Sequence, residues 1–176
     1  MRAFLLAAAM LGALSGFAMA QDGYFDLKPG VTLISGETWV QEGRTFRLYG
    51  IQSCLRGTFY TNDAGRKVDC GDSAIAVLSA YIKDTNPKCA PVARVSDITY
   101  VSCFVTLGGN RLDFATMLVS TGWAFASLNQ NGEPYQMSYL VTEQAAKDSK
   151  VGLWKFPDLQ HPSIIVSSQS QKAQLQ

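Results

Sequence analysis

The stretch from Thr45 to Cys54 reads TFRLYGIQSC. Phe46, Leu48 and Ile51 are apolar, and the run is too short for a helix. It is therefore expected to form a buried strand that ends in a polar turn. Gly50 lets another backbone come close. Arg47 is the exception among these residues. A guanidinium set beside core positions requires an anionic side chain or an anionic ligand, because leaving it unpaired costs several kcal/mol.

Upstream of this stretch, 31–34 and 38–41 read as two further strands, with turns at Gly36 and at Glu42-Gly43. Downstream, 55–69 carries Gly57, Asn62, Gly65 and several charges without periodicity, which predicts a surface loop. A first helix follows, capped by Asp72 or Ser73, with Ala74, Val77, Leu78, Tyr81 and Ile82 on one apolar face. Asn86-Pro87 ends it. Two strands are expected at 88–95 and 99–107; in the second, Tyr100, Ser102, Phe104 and Thr106 alternate with Val101, Cys103, Val105 and Leu107. Asp113 caps a second helix over 114–121, and a third is expected over 135–150. Residues 21–30 read as a loose lead-in, and the Ser/Gln-rich 158–176 as a disordered tail.

The first twenty residues combine Arg2, an apolar run and Ala18-Met19-Ala20, the pattern of a secretory signal peptide cut before Gln21. No transmembrane segment is expected after that cut. The chain carries 15 basic and 14 acidic residues, and losing Arg2 leaves 14 of each. A neutral mature chain without a Lys/Arg cluster argues against avid nucleic-acid binding. Export to the periplasm or the medium places Cys54, Cys70, Cys89 and Cys103 in an oxidising compartment, where four cysteines are expected to form two disulfides by one of three pairings. A zinc site is disfavoured, since there is no C-x-x-C and the lone histidine, His161, lies in the tail.

The landmarks ISGETW (34–39), TFRLYGIQSC, CG (70–71), GW (122–123) and GLW (152–154) occur in the order seen in the staphylococcal-nuclease-like, or thermonuclease, family. The chain resembles that family from about 31 to 156. The resemblance implies an α+β fold over 31–157: a five-stranded OB-fold barrel with three helices, a groove that accepts oligonucleotides or oligosaccharides, and disulfides Cys54–Cys70 and Cys89–Cys103. Each would close a loop of about 15 residues, stabilising by roughly 3 kcal/mol in the chain-entropy treatment.

The family's phosphodiester hydrolysis uses calcium held by carboxylates, a carboxylate base and two arginines. One arginine position is kept as Arg47, the phosphate-binding candidate. One metal-ligand position is kept as a carboxylate, Glu37; the second falls on the neutral Gln52. The base falls on Leu55 and the second arginine on Ile98. Losing one such group typically costs about 10²–10⁴ in rate, so the implied reading is a nuclease site that has decayed. No cofactor is then expected, and calcium only if activity persists.

Arg47 also has a structural reading, as the ion-pair partner of Glu37. Trp39, Tyr49, Tyr60 and Tyr100 are candidates to line a ligand groove, or else belong to the core. The resemblance extends to small exported thermonuclease-like proteins, one of them associated with the exopolysaccharide succinoglycan. It thus implies an accessory role in the cell envelope, with a polysaccharide or protein partner. A residual calcium-dependent phosphodiesterase and a protein-interaction module are the alternatives.

Overall fold

The computed structural model describes residues 23–174; the expected signal peptide lies outside the described residues. In chain order the elements are β1 (Phe25–Asp26), β2 (Thr32–Leu33), β3 (Thr38–Gln41), β4 (Arg44–Leu48), β5 (Ile51–Ser53), β6 (Phe59–Thr61), β7 (Lys67–Asp69), α1 (Cys70–Thr85), β8 (Lys88–Val95), β9 (Ile98–Leu107), β10 (Asn110–Asp113), α2 (Phe114–Ser120), β11 (Ala124–Ala126), α3 (Met137–Asp148), a 3₁₀ turn (Gly152–Lys155) and α4 (Pro162–Gln174). The architecture is mixed α+β, with a curled half-barrel sheet and four helices.

The main sheet runs β1-β8-β9-β4-β3-β2, with β10 added to β9. Its first and last strands in space, β1 and β2, are joined in the chain by 27–31, so this short connection spans the two edges. Gln41 ties them further: its amide donates to the Asp26 carbonyl at 3.0 Å and accepts from the Lys28 N–H at 3.4 Å. The expected loose lead-in is therefore structured from Phe25, with Leu27 1% exposed and its N–H donating to the Pro87 carbonyl. The two residues of β1 are too few to show alternation, which is why the sequence pattern misses it, whereas β2 falls within the strand expected over 31–34.

Alternation does set the face of β9. Val101, Cys103 and Val105 are buried, while Ser102 and Thr106 face outward. Phe46 and Leu48 of β4 join them in one core with Trp39, Leu78, Ile82, Phe114 and Leu118. Helix α1 starts at Cys70, earlier than its apolar periodicity suggests, because Asp69 rather than Asp72 or Ser73 is the cap: its side chain accepts the Asp72 N–H. Asp113 caps α2 as expected, accepting from the Thr116 N–H.

The expected loop 55–69 contains the hairpin β6–β7. It covers a second core of Cys54, Tyr60, Cys70, Ala74, Phe125 and Leu153. The disulfide Cys54–Cys70 crosses this core, and Cys89–Cys103 joins directly opposed residues of β8 and β9. Pairing to these two partners follows the resemblance.

The C-terminal segment departs most from the expected disordered tail. Asp158 accepts hydrogen bonds from the Thr61 N–H and hydroxyl, His161 packs on Phe125 and Trp154, and α4 begins at the buried Pro162. Fixed contacts at its root, rather than helical amphipathicity, hold it. No helix among the described residues is long and apolar enough to cross a membrane.

Candidate functional site

Arg47 lies on β4 between Thr38 of β3 and Tyr100 of β9. The antiparallel partner and the parallel one both place their side chains on its face of the sheet, opposite to Phe46 and Leu48. Glu37, in the turn before β3, is 1% exposed, and the arrangement around its carboxyl is saturated. Oε2 accepts from the Ser35 hydroxyl at 2.7 Å and from the Ser53 hydroxyl. Oε1 accepts from Gln52 Nε2 at 3.1 Å and faces Arg47 Nη2 at 3.2 Å. A carboxylate offers about four lone-pair sites, and four donors occupy them.

Gln52 joins the two charges. Its carbonyl oxygen accepts from Arg47 Nη2 at 2.6 Å, while its amide nitrogen donates to Glu37 and to the Ser53 carbonyl. An acidic residue at this position would lack that donor and set a second negative charge beside Glu37.

Gly36 lets the turn close on this network. Its N–H donates to the Ser53 hydroxyl at 3.0 Å, and a Cβ there would lie 2.7 Å from the Ala74 Cβ. Gly50 has a positive φ of 76°, and a Cβ there would meet the Tyr139 ring at 2.9 Å. The close neighbours at Gly50 are thus the side chains of Tyr139 and Gln136 and not the backbone expected from the sequence.

The donor set does not fit a calcium ion. Calcium takes six to eight oxygen ligands, several of them carboxylates. Here one carboxylate, already fully hydrogen-bonded, is flanked by an amide nitrogen and a guanidinium. Among the described residues no group of three His, Cys, Asp or Glu is arranged to hold a metal. Leu55 is half-buried, and its carbonyl accepts from the Thr58 N–H and hydroxyl; Ile98 pairs across from Thr45.

The four aromatic candidates separate into two groups. Trp39 is fully buried and stacks on Phe46, and Tyr60 is 7% exposed, stacked on Phe156 at 4.5 Å. Both are core residues, which corrects their assignment to a ligand groove. They are buried because β3 and β6 turn these rings inward, leaving Trp39 Nε1 without a hydrogen-bond partner among the described residues. Tyr49 and Tyr100 are half-buried and meet edge to face at 6.4 Å, with Tyr135 joining Tyr49 at 6.3 Å.

Sequence reading misses two residues and a concavity. Glu143 of α3 is 6% exposed; it accepts the Ala126 N–H at 2.6 Å and faces His161 Nε2 at 3.0 Å. Since His161 Nδ1 accepts the Ser163 N–H at 3.1 Å, its proton sits on Nε2 and points at Glu143. Beside Gln52, the loop 127–132 and α4 line a groove of about 590 Å³. No family model matches the sequence, and no curated protein is similar enough to count as a match.

Proposed function

We propose that this chain is an exported binding domain of thermonuclease-like fold whose hydrolytic site has been replaced by a self-contained polar network. Its role would be accessory, toward a polysaccharide or a protein partner of the cell envelope. The observation that carries the reading is the saturation of Glu37. A cation at this carboxyl would have to displace Arg47, Gln52 or a serine hydroxyl, and the neighbouring Gln52 offers no charge in return. Arg47 in turn spends Nη2 on Gln52 and Glu37. The adjacent Glu37 carboxylate offsets the guanidinium charge and so weakens its attraction for a phosphate.

The OB-like topology supports the family resemblance. The curled sheet has β4 and β9 parallel and its other strand pairs antiparallel. The two disulfides favour an oxidising compartment.

The test is release of nucleotides from single-stranded DNA and from RNA by the oxidised protein, with calcium and with chelator in parallel. No release above the chelator control is expected. Calcium-dependent release that is lost in Arg47→Ala would overturn the reading and assign the chain to the calcium-dependent phosphodiesterases.

A further inference from the structure

The groove beside Gln52 differs in chemistry from the rest of the surface. Among its lining residues none is charged; apart from Gly132 they are amides and hydroxyls, with Leu128, Ile164 and Val166 as apolar elements. The smaller concavity, about 190 Å³, is by contrast lined by Asp26, Lys28, Glu42 and Arg44.

One wall of the groove is preorganised. Asn129 Oδ1 accepts the Asn131 and Glu133 N–H groups at 2.9 and 3.0 Å, and its amide donates to Glu133. This fixes the loop and turns outward the exposed Gln130 and Asn131, whose side chains make no hydrogen bond among the described residues. The opposite wall, the first turns of α4, is fixed at its root by His161 and Pro162.

The geometry points to this groove as a binding site for a neutral oligosaccharide. Side-chain amides both donate and accept, which matches the hydroxyls of a sugar, and the apolar side chains suit the C–H face of a ring. Phosphate or uronate groups would find no countercharge here, which ranks nucleic acid and acidic polymers lower. The proposal names a ligand for the binding role above and rests on that reading.

The test is titration of the full, isotope-labelled mature protein with cellohexaose, laminarihexaose, maltohexaose and a neutral galactan oligomer. Oligogalacturonate, a DNA hexamer and a hexapeptide serve as comparators, and amide resonances are followed by NMR. Shifts confined to 127–132 and 163–167 with at least one neutral glycan are expected. The Gln130→Ala/Asn131→Ala double variant should bind about tenfold more weakly through loss of two hydrogen bonds, with an otherwise unchanged spectrum.

No shift with any neutral glycan would overturn the proposal, as would occupation of the groove by the peptide, the DNA or the uronate alone. Neither result bears on nucleotide release, so failure here is separable from failure of the binding-domain reading.

Discussion

Two buried carboxyls hold two different parts of this molecule together. Glu37, at the mouth of the curled sheet, is bonded by a guanidinium, an amide and two hydroxyls, all from residues 35–53. Glu143 sits at the seam between α3, β11 and the C-terminal segment, and has one backbone N–H and one imidazole. The mouth is closed by local chain and joins the main sheet, through Arg47 of β4, to β5, which carries Gln52 and Ser53 and pairs with β11. The seam depends on a contact made by a segment with few others. Removing Glu37 is therefore expected to loosen the whole fold, and removing Glu143 chiefly the C-terminal segment.

The largest effect is expected for Glu37→Ala. It removes an acceptor from the Gln52 amide and from two hydroxyls and leaves Arg47 without its counter-ion. Breaking a buried pair typically costs about 3–5 kcal/mol, and because Arg47 is one-quarter exposed and can turn toward water, about 3 kcal/mol is expected here. A shift in the urea midpoint at unchanged slope measures this. Loss under 1 kcal/mol, on the order of a surface substitution, would mean that the network contributes little to stability.

Glu143→Ala comes next, at about 2 kcal/mol, mostly from the buried Ala126 N–H left without an acceptor. His161→Ala should cost about 1 kcal/mol. Hydrogen exchange sharpens the contrast: both variants should lose protection in 158–169 while β4 and β9 keep theirs, because local openings follow the least supported contacts. Equal loss of protection in the sheet would remove the distinction between mouth and seam.

The two regions also differ in how far they can be read from sequence. At the mouth, a guanidinium inside the apolar run TFRLYGI demands an anionic side chain or ligand, and the turn at Gly36 supplies Glu37. Gln52 is legible as a neutral residue, but its bridging geometry is not, since an amide gives no sign of which atoms it will face. At the seam, Glu143 lies within the helix expected over 135–150 with no apolar pattern to mark it as buried, and its partner is 18 residues away in a segment without amphipathic period. The only signals were the single histidine of the chain next to Pro162 and the apolar Ile164-Ile165. The hairpin of β6 and β7 was hidden for a related reason: three-residue strands lie below the window in which alternation can be counted.

The smallest and most local effect concerns acid. Asp158 ties the C-terminal segment to β6 by accepting the Thr61 hydroxyl at 2.7 Å and the Thr61 N–H at 2.9 Å. The Thr61 hydroxyl, and then its N–H, hold the Asp158 carboxyl below the usual aspartate range. A depressed value in the folded state means stabilisation that is complete above the ordinary aspartate value of about 3.9 and is lost as pH falls through the lower folded one. Asp158 is fully solvent-accessible, so screening keeps the effect on global stability small. The expected outcome is that acidification below about pH 4 shifts the amide resonances of Thr61 and of the residues around Asp158, with the sheet unchanged. Asp158→Asn should abolish that titration while keeping an amide oxygen for Thr61. A seam that ignores acid in the wild type, or that titrates equally in the variant, would transfer the anchoring of this segment from Asp158 to Glu143 and His161 alone.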